Sequence, residues 1–235
     1  MILSERHTTE ADFADGKVGF AQLPIIHVTK LVKRAEVLAV VPLRHNNRGM
    51  QKKNMTAQKW ISEIDEITAL FKKEFGGLSD KRLNWKPNTQ TWSIAQNIDH
   101  LIVINESYYP VVRQIRSHTY SLPWIGRFGF IADFTGNTIL KAVHPDRRRK
   151  TKTFSIWEPH TTDLGADIVD KFVQHQEELK KFIISAMDLV NAGTIISSPA
   201  NRNVVYRLHK AFDIIVTHER RHFEQAKEAL SLRPA

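Results

Sequence analysis

The chain has 235 residues, sets 34 Lys and Arg against 25 Asp and Glu, and contains no cysteine. These numbers exclude a disulfide framework, a Cys-based zinc finger and a cysteine nucleophile. A hydrophobic content of 42% excludes a disordered polyelectrolyte, while the net charge of +9 raises the question of a polyanion partner.

The charge is unevenly placed. Residues 1–55 are net +4, residues 141–152 are net +5, and the remainder is neutral overall. The second excess centres on Arg147-Arg148-Arg149-Lys150, which follows the turn signal His144-Pro145-Asp146. It reads as a solvated loop, with an anion-binding patch as the alternative, and no nucleic-acid partner is expected. No stretch reaches the roughly 18–20 apolar residues of a membrane span. Leu23 to Leu43 is broken by Lys30, Lys33, Arg34 and Glu36, and it makes a poor secretory signal. The expectation is a cytoplasmic protein with no membrane partner.

Residues 1–53 match no periodic template. They read as a poorly ordered N-terminal extension, or as sequence upstream of a start at Met50 or Met55; a helix near Leu31 to Val41 is the alternative. A domain over 54–235 follows. From Thr56 the spacing of Trp60, Ile64, Ile67 and Phe71 places four apolar side chains on one helical face. Gly76-Gly77 is a stop signal. The second helix opens at Ser93-Ile94-Ala95-Gln96, a capping box, and carries the stripe Ile94, Ile98, Leu101, Tyr108 and Val112, with Pro110 as a kink or an end. Residues 117–160 are irregular and rich in Gly, Pro and aromatics, and short helices are expected there.

The third helix is predicted over Asp163 to Val190, where Ile168, Phe172, His175, Leu179, Phe182, Ala186 and Leu189 form a heptad-like seam. The fourth is predicted over Val204 to Leu230, with Leu208, Ala211, Phe212, Ile215, Phe223, Ala226 and Leu230 facing inward. The expected fold is all-α: an up-down-up-down four-helix bundle with an irregular insertion between helices two and three.

Residues 218–222 read His-Glu-Arg-Arg-His. His218 and His222 are one turn apart on one helix face and can chelate a divalent metal. His100, in the middle of the second helix, would be a third imidazole, leaving a fourth position open. The same string is H-E-x-x-H, the zincin signature, in which Glu219 is the general base of a metallopeptidase. Against that reading, Glu224 and Glu228 are too close on the same helix to supply the downstream ligand, no histidine follows, and no strand scaffold is predicted. His175 lies on an apolar seam and is read as packed.

The stretches TWSIAQNIDHLIVINESYY (91–109) and HERRHFEQA (218–226) resemble the second-helix and last-helix motifs of the DinB-like, or YfiT-like, superfamily. KTKTFSIWEP (150–159) and SSP (197–199) extend the resemblance to about Lys59 to Leu230. It implies a metal-binding four-helix bundle in which His100, His218 and His222 hold a divalent ion. It also implies a metal-dependent hydrolase or a low-molecular-weight-thiol S-transferase. A non-catalytic, metal-stabilised ligand-binding bundle is the alternative.

In the enzyme reading Glu219 and Arg221 are the catalytic candidates, as base and as anion-binding group. Gln96, Tyr108 and Gln225 are candidates for a substrate-pocket wall, and Trp92 is read as packing the start of the second helix. Zinc is the expected metal and nickel the second. The expected partners are a small-molecule substrate, including a thiol from outside the protein, and a second copy in a homodimer.

Overall fold

The computed structural model describes residues 47–146, 153–159 and 164–233, with the backbone alone over 47–56. The expectation for residues 1–46 and the basic run 147–150 lie outside the described residues. The chain is mostly helical. Its elements run α1 (Asn47–Phe75), α2 (Asp80–Leu83), α3 (Ile94–Glu106), α4 (Tyr108–Arg116), a 3-10 turn at Trp124–Arg127 and α5 (Gly129–Ala142). A second 3-10 turn at Ser155–Trp157, α6 (Ile168–Ser185), α7 (Met187–Asn191), β1 (Ile195–Ser198), β2 (Asn201–Arg207) and α8 (Leu208–Ser231) complete it. Among the described residues no helix is long and apolar enough to cross a membrane.

The four long helices carry the stripes expected of them. Trp60, Ile64, Ile67, Phe71 and Phe75 of α1 are buried, as are Ile168, Phe172 and Leu179 of α6 and Ala211, Phe212, Ile215 and Phe223 of α8. Both α1 and α3 pack against α6 and α8, so each inward stripe meets two others. α1 begins at Asn47, inside the stretch assigned to the extension, and closes at Gly76, whose N–H reaches Lys72 O at 3.0 Å.

Four differences from the expected elements have local causes. The second helix breaks at Ser107 and restarts as α4. Pro110 offers no N–H to the carbonyl four residues earlier, that of Glu106, so the ladder stops there. The fourth helix begins at Leu208, because Val204 to Arg207 belong to an antiparallel hairpin in which Ile195 pairs with Arg207 and Ser197 with Val205. β-branched and aromatic residues favour that extended backbone. The insertion contains a 14-residue helix, α5, packed on β2 and α8. Gly136 permits the close approach, since a Cβ there would lie 3.1 Å from Tyr206 Cβ and 3.2 Å from Lys210 Cβ. The third helix starts at Ile168 and is interrupted at Ala186.

Arg207 fastens the hairpin. Its Nε donates to Asp133 Oδ1 at 2.7 Å and its Nη2 to Asp133 Oδ2 at 3.2 Å, a paired contact onto α5. Its Nη1 donates to Gly193 O at 3.2 Å, where the chain turns with φ 69°, a value glycine adopts without strain.

The interior is not uniformly apolar. One buried cluster joins Trp60, Ile64, Tyr108, Leu179 and Phe212; a second joins Ile67, Phe71, Leu101, Phe172 and Phe223. At the level between them the helices present Asn105, His175, Gln176 and Glu219, all buried. Three helices thus change from apolar to polar and back within two turns.

Candidate metal centre

α3 and α8 lie side by side, and their facing residues bring the three predicted histidines together. One ring nitrogen from each of His100, His218 and His222 lies within 4.8 Å of the other two. His222 Nε2 and His218 Nε2 are 3.0 Å apart. Two nitrogens bound to one tetrahedral ion at ~2.0–2.1 Å stand about 3.3 Å apart, so this spacing suits a shared metal.

The tautomers follow from the partners. His100 Nδ1 lies 2.5 Å from the carbonyl oxygen of Trp157. A carbonyl only accepts, so Nδ1 carries the proton and Nε2 keeps its lone pair. Asn97 fixes His222 in the same way. Its Nδ2 donates to Ser93 O at 2.8 Å, which turns its Oδ1 toward His222 Nδ1 at 2.7 Å. Nδ1 of His222 must then donate, leaving Nε2 for the cluster. Both imidazoles are held as metal-ligating histidines are, by an oxygen on the far nitrogen.

The anchor of Asn97 is the capping box. Ser93 Oγ accepts from Gln96 N–H at 3.1 Å, and Gln96 Oε1 accepts from Ser93 N–H at 3.2 Å. Gln96, a candidate pocket residue, is therefore engaged in the helix start that positions Asn97.

Burial pushes all three imidazoles below their ordinary pKa, and for His218 and His222 the neighbouring rings and Arg221 push further. They are neutral near pH 7, the form that binds metal. Arg221 Nη1 donates to Ala142 O at 2.8 Å, at the C-terminus of α5, where a cation complements the helix dipole. It ties the insertion to α8 beside the histidines.

The two tryptophans near the cluster act differently. Trp92 lies 4.7 Å from the His100 ring and 5.9 Å from that of His222, centre to centre. Trp157 sits over α3, its indole Nε1 donating to Ser107 Oγ at 3.1 Å.

Other candidates lie elsewhere. Glu219 faces the interior and is fully buried; its carboxylate accepts from Asn105 Nδ2 and Gln176 Nε2, each at 2.8 Å. Burial pushes its pKa up to about 7 despite those two donors. Tyr108 is buried in the first apolar cluster, its hydroxyl 2.8 Å from that of Tyr206. Gln225 is half-buried on α8. His175 is buried in the polar layer, 3.3 Å from Asn105 Nδ2, and burial lowers its pKa to about 4. A groove of about 500 Å3 lies along α4, lined by Ser107, Gln114, Tyr120, Ser197, Ser198 and Arg202.

The sequence reading did not identify Asn97, Trp157, Asn105 or Gln176 as site residues. Asn97 carried a usable signal, since it stands three residues before His100 within the capped first turn.

Fold and site together define a helical protein whose second and last long helices bring three imidazoles to one point. The family comparison names the class. The model of the DinB superfamily matches residues 63–226, and the chain belongs to that superfamily. It is similar to the uncharacterized protein YuaE of Bacillus subtilis (strain 168), with 28% identity over 156 residues that cover 66% of this chain and 87% of that protein. No solved structure gives a significant match.

Proposed function

We propose that this protein is a metal-dependent enzyme that transfers a low-molecular-weight thiol or hydrolyses its substrate at the three-histidine centre. The observation that carries the reading is the convergence of His100, His218 and His222 with their distal nitrogens bonded to oxygen at His100 and His222. Three neutral imidazoles suit Zn²⁺ first and Ni²⁺ second, and the donor set fits either. A divalent ion with an open position supplies Lewis acidity, which makes water or a thiol nucleophilic near neutral pH.

The chain's own residues do the rest. The carbonyl of Trp157 and the amide of Asn97 orient two ligands. Trp92 covers one side of the cluster. Arg221 places positive charge beside it, suited to an anionic substrate group. The chain has no cysteine, so a reacting thiol comes from a cosubstrate.

Metal analysis of the purified protein tests the reading. About one divalent ion per chain is expected, lost in a His218→Ala/His222→Ala variant. Thiol-transfer or hydrolytic turnover should be abolished by chelator and restored by the metal. A metal-free wild type, or metal retained in the double variant, removes the proposal.

A second reading, a non-catalytic bundle stabilised by metal, is favoured by one observation. Glu219, the base candidate nearest the ligands in sequence, accepts two amide donors inside the bundle. In that case chelation lowers the melting temperature and no turnover appears.

A further inference from the structure

We infer that Trp157 is a positioning residue for the metal centre: it locks the tautomer of His100 and makes residues 153–159 a working part of the site.

One residue touches α3 and the residue that caps its end. The carbonyl of Trp157 accepts from His100 Nδ1 at 2.5 Å, and its indole Nε1 donates to Ser107 Oγ at 3.1 Å. His100 and Ser107 are seven residues apart, two helical turns on the same face, or about 10 Å at 1.5 Å per residue. Trp157 therefore lies along α3 and spans from the ligand to the helix end. Ser107 is itself fixed, because its hydroxyl donates to Ile104 O at 2.6 Å. That leaves an Oγ lone pair for the indole N–H.

The neighbours of Trp157 show why its side chain matters. Phe154, Ser155, Ile156 and Glu158 are exposed, whereas Trp157 is half-buried and meets Phe154 edge to face at 5.6 Å. Within residues 153–159, Trp157 is the residue that bonds α3 and its cap, through its carbonyl and its side chain. A main-chain carbonyl cannot be aimed by its own side chain directly. It is aimed when the side chain pins the residue, as the indole does here at Ser107.

The consequence falls on His100. Free imidazole distributes its proton over both nitrogens. A fixed acceptor at Nδ1 removes that freedom and keeps the Nε2 lone pair directed at His218 and His222. Asn97 performs the same task for His222 from within α3, so the two are independent controls on one cluster.

Nitrogen-15 NMR of the metal-free protein above pH 7 tests the inference without metal. His100 should be almost wholly the Nδ1–H tautomer in the wild type. In Trp157→Ala it should become a mixture, while His222 stays Nδ1–H. Ser107→Ala should shift His100 in the same direction and Ser107→Thr, which keeps the hydroxyl, should restore it; this pair decides the matter if Trp157→Ala fails to fold. The second readout rests on the metal-site reading above: Zn²⁺ affinity should fall about 10-fold in Trp157→Ala with the metal-free melting temperature unchanged.

A His100 tautomer that is Nε2–H in the wild type, or unmoved by both Trp157→Ala and Ser107→Ala, overturns the inference. So does Zn²⁺ affinity within twofold of wild type in a folded Trp157→Ala. If the wild type binds no metal, the metal reading fails, and the tautomer measurement still decides the role of Trp157.

Discussion

His218 and Glu219 are consecutive residues, yet the two faces of α8 that carry them hold opposite kinds of polar site. The His218 face gathers three imidazoles whose nitrogens converge. The Glu219 face closes on itself: a fully buried carboxylate receives amide hydrogens from α3 and α6. The 100° turn per helical residue makes the separation. At one site three ring nitrogens face a shared point, and at the other the carboxylate oxygens are already bonded. A string such as H-E-x-x-H therefore describes a chain, and only the packing of α8 against its neighbours decides whether its glutamate serves the metal or the core.

The largest expected effect breaks the metal face alone. His218→Ala/His222→Ala should weaken Zn²⁺ binding by at least ~1000-fold in calorimetric titration, with a metal-free melting temperature within a few degrees of wild type, because two of three ligands are gone. Glu219→Ala should do the reverse. Leaving the amides of Asn105 and Gln176 without their acceptor should cost about 3 kcal/mol in urea denaturation, with metal affinity within threefold. Loss of metal in Glu219→Ala at unchanged stability would merge the two faces into one site.

Acidity sharpens the contrast further. Glu219, with a pKa of about 7 in the fold against 4.5 in the unfolded chain, binds its proton more tightly when folded, so its contribution to stability is lost as pH rises from about 4.5 to about 7. His175, lowered from 6.5 to about 4, works the other way, and its contribution is lost as pH falls through that window. The two slopes oppose each other. Glu219→Gln removes the first, so the stability of the variant relative to wild type should rise by roughly 3 kcal/mol between pH 4.5 and 7 at 1.36 kcal/mol per unit. A difference profile that stays flat over that window would show that Glu219 does not carry a raised pKa in the fold. The smallest effect expected belongs to the support of the metal face: Asn97→Ala should weaken Zn²⁺ about 10-fold by freeing the His222 ring, measured by competition with a chelating dye.

The three histidines were legible because His218 and His222 stand one turn apart on one face of a helix and His100 stands in the middle of the capped second helix. Their supports were not. The acceptor for His100 is a main-chain carbonyl, which every residue possesses, and its location depends on a segment 57 positions away. The roles of Asn105 and Gln176 appear only when α3, α6 and α8 are brought together. The hairpin was hidden because Val204, Val205 and Tyr206 precede a helical stripe of the same apolar character. Helices were expected in residues 117–160, but not one as long as α5, whose packing depends on the missing Cβ of Gly136 admitting Tyr206 and Lys210.

The placement of the histidines along the chain has a mechanical meaning. His100 and His218 are separated by about 120 residues, and the protein has no cysteine to bridge such a distance. A cation held by both would cross-link that loop. By the chain-entropy argument, closing a loop of about 100 residues restricts the unfolded ensemble by roughly 4–5 kcal/mol. Such a staple would be indifferent to the redox state around it, and would be set or released by the supply of one ion.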